Sequence, residues 1–567
     1  MQSSTELRSM LSSIHRKSYP AYKSLRGSYD FREYTLSIDH VQGDPFASPS
    51  NVSVHIPLLK TGIPKEYYQA AHTKTALEDA LLRQFESEIQ KYNFRAKGSG
   101  KSGLISVSRP DQEILKRTAL SLTSRELIAR FEVGFPANGR TINAPELEKI
   151  LFDFLPVCVR RSFYYKNLDA AVYREVFELA EDQQFIRNEI KRLNLAAFVA
   201  DGSVLPRESG VSSRPLRDCV PFVSPESLRI TLDLPYKGKL SGMGIPKGIT
   251  LIVGGGYHGK STLLNALERG VYSHIKGDGR EYVISDESGL KLRAEDGRSI
   301  RNVNISLFIN DLPNKKGTHS FSTPDASGST SQAAGIVEGM ESGSRLFFID
   351  EDTSATNFMV RDTFMQEVIH RDKEPITPFL ERARDLYEKA DISTILVAGS
   401  SGAFFHIADT VIQMDCYRPI DITDNVKGML DKYPLTATHA PAFTLPDFQR
   451  SLPLPRPSSK RMGHREDDRI KTKVRGRDGF QIGKETVDLR FVEQIVDTEQ
   501  TAALAALLKY AIEHPAGKTL RETVAHLQSL LDSKGMEFLF DGCERCGFAL
   551  PRIQEIFCCF NRYRGER

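Results

Sequence analysis

The 567 residues, 40% hydrophobic and 26% charged, have the make-up of an ordinary globular protein with room for two to four domains. A formal net charge of +3 is too small to argue for any partner, so a polyanion could be held only by a local cluster of bases. No apolar run approaches the roughly 20 residues a membrane-spanning helix needs. The N-terminus lacks a signal-peptide core, and Glu6 with the shortness of the stretch argues against a mitochondrial presequence, so a cytoplasmic protein with no membrane partner is expected.

Residues 1–225 mix strand-like and helical segments into an α+β region, with helical apolar spacing at Leu77–Tyr92 and Ala171–Leu193. Within it, Gly98-Ser-Gly-Lys101-Ser102 looks like a fragment of a phosphate loop, yet Arg95 stands where the first glycine belongs. A flexible exposed loop is the expectation there.

Residues 226–425 alternate strands and helices, the pattern of an α/β nucleotide-binding core. Gly254-Gly255-Gly256-Tyr257-His258-Gly259-Lys260-Ser261-Thr262 fits the phosphate-loop spacing G-x-x-x-x-G-K-[ST] in full, between a β-branched strand at Ile249–Val253 and a helix from Leu263. Glycines let the backbone turn its N–H groups and a helix N-terminus toward phosphate oxygens. Lys260 is expected to bridge the β- and γ-phosphates, and the Ser261 hydroxyl to ligate Mg2+. His258 reads as a loop residue donating from its backbone, not as a base.

Downstream, Val303–Ile309 is expected to be a strand, ended by Asn310 as a candidate magnesium or water contact. Asn314-Lys-Lys-Gly317 lacks the aspartate that guanine selection needs, so ATP is preferred over GTP. Ser327, Gly328 and Ser329 then open a helix-like stretch at Ala333–Glu341; small residues at such a start can present N–H groups and hydroxyls to a phosphate. Ser327 lies 23 residues before Asp350, the placement of the signature loop of ABC ATPases. Leu346-Phe-Phe-Ile-Asp350-Glu351 is a buried strand ending in two acids. Asp350 is the expected magnesium ligand and Glu351 the general base that polarises the attacking water. Thr353–Asn357 follows in the position of the ABC D-loop, and a helical segment is expected over Pro375–Lys389 before a strand at Ser393–Ala398.

Residues 426–478 are Pro-rich and then basic, and 479–567 read as mostly helical, with an Ala/Leu stretch at Thr501–Ile512. Cys543, Cys546, Cys558 and Cys559 are taken as buried or incidental thiols; no histidine stands at zinc-site spacing. No sustained heptads exist, which excludes long coiled-coil arms.

Taken together these residues closely resemble the family of ATPases of the ABC class, through GMGIPKGITLIVGGGYHGKSTLL, ASGSTSQAA, DEDTSATNFMVRD and KEPITPF. The likeness extends to IDHVQGDPFASPS and GSGKSG near the N-terminus and to VDLRFVEQIVDTEQTAAL near the C-terminus. It implies an α/β P-loop NTPase core of ABC-ATPase type, an α+β N-terminal region and a mostly helical C-terminal region. It also implies a homodimer in which Ser327 contacts the γ-phosphate held by the other subunit. Three features depart from the ABC pattern, the first being the extra helical segment Pro375–Lys389 between Asp350 and the next strand. Only 67 residues separate Lys260 from Ser327, leaving little room for a helical subdomain, and Gly399-Ser-Ser-Gly402 stands where the switch histidine is usual, with His406 too late to replace it.

Single-stranded RNA is a partner that the likeness to a trypanosome mitochondrial RNA-editing accessory ATPase implies. Residues 450–478 hold ten Lys/Arg against four acids, and Lys471, Lys473, Arg475 and Arg477 alternate along the densest part, as a stripe following a phosphate backbone would. Lys101 is a further candidate RNA contact. The expectation is a Mg2+-dependent, dimeric ATPase coupled to single-stranded RNA. A regulatory ATP-binding module with little turnover, and a subunit of a larger complex that does not bind nucleic acid, are the alternatives.

Overall fold

Strands buried on both faces organise the larger part of this chain. A computed structural model describes residues 1–361, 368, 373–434, 440–455, 461–462, 465–466, 470–540 and 542–565. Contacts divide the chain into two units, one of residues 1–181 with 533–550 and the other of 182–532 with 551–567.

The first unit is built on a mostly antiparallel seven-stranded sheet, in which Ser50–Pro57 pairs along its whole length with Glu126–Val133. The helix Ala71–Gln90 buries Leu77, Leu81, Phe85 and Ile89, an i, i+4 stripe, in the same core as Phe131 and Phe163. The Gly98–Ser102 stretch is a packed turn, not the flexible exposed loop expected. The Ser102 hydroxyl donates to Ser99 O at 2.5 Å and accepts the Ala137 N–H at 3.0 Å, while Lys101 N donates to Pro45 O at 2.8 Å.

The second unit carries a six-stranded sheet in the order Leu290–Leu292, Leu346–Asp350, Ser393–Val397, Ile249–Val253, Thr410–Asp415, Arg418–Asp421. All neighbours run parallel except the last pair, a hairpin. Ile249, Leu251, Phe347, Ile349 and Leu396 are fully buried, as strands of a parallel sheet covered on both faces require. A four-stranded antiparallel sheet adjoins it in sequence: Arg229–Leu234, Gly238–Pro246, Leu195–Ala200, Val283–Ser285. Because Leu195–Ala200 pairs with Gly238–Pro246, the boundary expected at 225 falls inside this unit. The strand expected over Val303–Ile309 is also corrected. It runs from Arg298 to Val303 and stops where Asn304 Oδ1 accepts the Ser306 N–H at 3.1 Å and its hydroxyl at 2.6 Å, turning the chain so that Ile305 O accepts from Phe308 and Ile309.

Past the sheet, Thr472–Val474, Gly479–Ile482 and Glu485–Asp488 form a three-stranded antiparallel sheet, followed by the helices Thr498–Glu513, Leu520–Lys534 and Ile553–Arg562. Gln494, 1% exposed, fastens this segment to the edge of the six-stranded sheet: its amide donates to Glu268 O at 2.9 Å and to Gly289 O at 3.1 Å, and its Oε1 accepts the Lys291 N–H at 2.9 Å. No helix among the described residues is long and apolar enough to cross a membrane.

Candidate functional site

The central strand Ile249–Val253 delivers the glycine loop at the carboxyl edge of the sheet, where its neighbours also end. Gly254 has φ 138°, and a Cβ there would come within 2.4 Å of the Met414 carbonyl oxygen. Gly259 has φ 97° and lies where a Cβ would meet the Tyr417 ring at 2.7 Å. Between them Gly255, Gly256 and Tyr257 face solvent; Tyr257 is 99% exposed and sits in the left-handed region at φ 64°. The helix Lys260–Arg269 follows, with Leu263, Leu264 and Leu267 buried and Lys260, Ser261 and Thr262 at its open end. Lys260 Nζ folds back onto the loop, donating to Gly254 O at 2.7 Å and Gly255 O at 2.8 Å.

His258 is spoken for by the hairpin that joins the last two strands. Its Nδ1 accepts the Cys416 N–H at 3.0 Å, Asp415 Oδ1 lies 3.1 Å from the same nitrogen, and its carbonyl accepts the Tyr417 N–H at 3.1 Å. Potential ligand atoms of His258, Asp415 and Cys416 lie within 4.8 Å of one another, but the Nδ1 lone pair is already used by that N–H.

Ser261 Oγ donates to Asp350 Oδ2 at 3.4 Å, and Asp350, 7% exposed, ends its strand with Oδ1 accepting the Asp352 N–H at 3.1 Å. Such an all-oxygen pair suits a hard cation that keeps most of its water, as Mg2+ does. Glu351 points its carboxylate at the loop after the Ser393–Val397 strand. Oε2 accepts the N–H groups of Gly399 at 2.6 Å and Ser400 at 3.0 Å, and Oε1 accepts the Ser400 hydroxyl. Asn310 is elsewhere engaged. Its amide nitrogen donates to Ser306 O at 2.7 Å and its backbone N–H to Pro375 O at 2.8 Å.

Ser327 is the N-cap of the helix Gly328–Glu341 in extended conformation, with no side-chain cap bond to that helix. Its hydroxyl lies 3.3 Å from that of Ser329 and 3.0 Å from that of Thr330, so first-turn N–H groups remain available to an anion. Gln332, given no role by the sequence, is fully buried and links three of the expected elements. It donates to Ser354 Oγ at 2.9 Å and accepts the Ala355 N–H at 2.9 Å, while Ser354 Oγ donates to Asp350 O at 2.8 Å. The signal was its place four residues into a helix opened by small residues.

Among the basic candidates, Lys473 lies on the edge strand Thr472–Val474, exposed, with Lys471 just before it. Arg475 donates to Gln481 Oε1 at 3.2 Å. Arg477 lines, with Ser261 and Asp350, a cavity of about 360 Å³, which places it beside that pair. Lys101 is a half-buried residue of the first unit. Arg456, Lys460 and Arg469 lie outside the described residues, as do the side chains of Arg461 and Arg465. None of the seven cysteines is in a disulfide, and burial pushes the Cys559 thiol up, away from the thiolate a metal would need.

Comparison with known proteins matches residues 169–449 to the P-loop domain of ABC ATPases, 4–166 to the N-terminal region of ATPases of the ABC class and 471–567 to the MRB1590 C-terminal domain. The uncharacterised protein MJ1628 of Methanocaldococcus jannaschii is 30% identical over 262 residues, which cover 43% of this chain and 55% of that protein. The chain therefore spans about half the length of this curated relative. Among solved structures, the ADP conformation of MJ1267, an ATP-binding cassette of an ABC transporter, aligns at 11% identity and a TM-score of 0.26, covering 42% of this chain and 95% of that one. CbiO1 of Clostridium perfringens, part of the ABC transporter complex cbiONQ, aligns at 12% and 0.25, covering 41% and 91%.

Proposed function

The chain belongs to the ATPases of the ABC class, and on that premise we propose that it is a Mg2+-dependent ATP hydrolase working as a homodimer and coupled to single-stranded RNA. One observation carries the hydrolytic reading: Ser261, in the first turn of the helix Lys260–Arg269, meets Asp350 at 3.4 Å, and Glu351 follows Asp350 directly, so a pair able to hold a metal and a candidate base stand together at the end of one strand. Ser261 and Asp350 would hold Mg2+, which would supply positive charge against the phosphates of a bound nucleotide. Lys260 leaves the Gly254 and Gly255 carbonyls for the phosphate oxygens, and the loop N–H groups bind the rest of the chain of phosphates. Glu351 takes the proton of the attacking water. Ser327, with its open helix N-terminus, supplies donors to the γ-phosphate bound by the partner, which makes the site composite. The exposed edge strand with Lys471 and Lys473 supports RNA as the ligand of the C-terminal sheet.

A second reading, a regulatory ATP-binding module of low turnover, is favoured by the grip of Gly399 and Ser400 on Glu351. ATP hydrolysis by wild type and Glu351→Gln, each with and without poly-uridine, separates the two. Activity lost in the variant and raised by RNA supports the coupled enzyme. Wild type that binds ATP but neither turns over nor responds to RNA replaces it with the regulatory module.

A further inference from the structure

Tyr257 and Tyr417 both stand at the phosphate loop, and the second is fastened to it. Tyr257, on the loop itself, is 99% exposed. Tyr417 arrives from outside, on the tight turn that joins Thr410–Asp415 to Arg418–Asp421, where Asp415 stands opposite Arg418. Cys416 and Tyr417 fill that turn, both in the left-handed region, at φ 48° and 67°. A hairpin turn of this kind is ordinarily built from Asn, Asp or Gly, and a bulky residue at positive φ persists only where its neighbours enforce it. His258 enforces it here: its Nδ1 accepts the Cys416 N–H at 3.0 Å, and its carbonyl accepts the Tyr417 N–H at 3.1 Å.

This fastening sets the Tyr417 ring against the glycines. A Cβ on Gly259 would meet Tyr417 Cδ1 at 2.7 Å and Cε1 at 3.4 Å, so the bare backbone of Gly259 is what admits the ring. One ring edge rests on the last glycine before Lys260, while Tyr417 as a whole stays 45% exposed. A residue chosen for the turn alone would be small. What tyrosine adds is an open aromatic surface, held in place beside the loop.

The order of the six-stranded sheet indicates which part of a nucleotide reaches that surface, an argument that rests on the ATPase reading above. The strand Ile249–Val253 has Ser393–Val397 on one side and Thr410–Asp415 on the other, and Asp350 ends the strand beyond Ser393–Val397. The γ-phosphate end of ATP must face Asp350 and Glu351. Its nucleoside end therefore points the other way, toward the Thr410–Asp415 hairpin. We propose that Tyr417 is the platform on which the base of the bound nucleotide stacks. Every base has a π-face, so the platform adds affinity for the nucleoside without choosing adenine over guanine.

The test uses the full chain and two ligands with Mg2+, ATP and inorganic tripolyphosphate, which carries the phosphates without a base. Tyr417→Ala is expected to weaken ATP about tenfold, the scale of one base on an aromatic ring, and to leave tripolyphosphate unchanged. The chain has no tryptophan, so Tyr417→Trp keeps an aromatic platform and introduces a single indole. Saturating ATP should quench its fluorescence, and tripolyphosphate should not. ATP bound equally by wild type and Tyr417→Ala overturns the platform, as does an indole that ATP leaves unquenched or that both ligands quench alike. Equal loss of both ligands in Tyr417→Ala also overturns it, and shows that the ring only braces the loop. A wild-type chain that binds neither ligand overturns the ATPase reading and the platform with it.

Discussion

Ser400 meets Glu351 twice, its backbone N–H on Oε2 at 3.0 Å and its hydroxyl on Oε1. With the Gly399 N–H also on Oε2 at 2.6 Å, three of the roughly four lone-pair sites of the carboxylate are occupied. The open one is on Oε1, and it is the one left for a water. Ser400 thus fixes the face that the Glu351 carboxylate presents, at the place in the chain where the switch histidine of ABC ATPases is usual.

Ser400→Ala should lower kcat about tenfold, the worth of one hydrogen bond to a charged group. ATP affinity should stay unchanged, and Ser400→Thr should restore most of the rate. A fall in ATP affinity with kcat intact would show a loop defect instead.

The phosphate loop and the acid-ended strand were legible because each is a local pattern: Gly254–Thr262 is contiguous, and Leu346–Glu351 is one apolar run with its acids at the end. The helices at Ala71–Gln90 and Gly328–Glu341 were legible from their apolar spacing and small-residue start. Three things were not. The contacts of Ser400 with Glu351 join residues 49 apart, and neither residue type announces the other. The Asn304 turn overrode an apolar stretch, Val303–Ile309, whose composition alone favours a strand. Leu195–Ala200 took its place in a sheet through pairing with Gly238–Pro246, which no local signal near 225 could show.

Glu351→Gln keeps the shape of the side chain but removes its basicity, and an amide can still meet the Ser400 hydroxyl. In saturating ATP with Mg2+ it should accumulate as a nucleotide-bound dimer, read by light scattering or sedimentation. A monomer under those conditions would remove the composite site.

Gln332→Leu should uncouple the signature helix from the D-loop. The change leaves Ser354 Oγ and the Ala355 N–H without their 2.9 Å partners in a buried place, at a cost of about 1–3 kcal/mol. Turnover should drop while ATP binding to the isolated loop persists. Unchanged turnover in Gln332→Leu would mean that the link from Gln332 through Ser354 to Asp350 O is structural only.

If Lys101, Lys471, Lys473, Arg475 and Arg477 each neutralise one phosphate, log affinity for single-stranded RNA should fall with log salt at a slope near about −3.5, at roughly 0.7 per contact. Replacing Lys471 and Lys473 together by Ala should flatten the slope to about −2.1. Arg477 is the informative exception. It lines a cavity with Ser261 and Asp350, so a change at Arg477 that alters ATP turnover but not the salt slope would assign it to the nucleotide instead of the RNA.

Glu78 supplies a test of the first unit that is independent of ligands. It is 4% exposed, its Oε1 accepts the Leu122 N–H at 2.7 Å, and burial pushes its carboxyl from an ordinary 4.5 up to about 7, against the opposing pull of that bond and of Lys74. The folded chain therefore keeps a proton that the unfolded chain has already released. Between about pH 4.5 and pH 7 the native state binds more protons, so stability falls as pH rises through that window, by up to about 3 kcal/mol. Glu78→Gln removes the titration and keeps an acceptor for Leu122. Its urea midpoint should lie close to that of wild type at pH 5 and above it at pH 8. Parallel pH profiles for the two proteins would mean that Glu78 ionises in the folded chain without penalty, and that burial on this face of the Ala71–Gln90 helix is less complete than its packing implies.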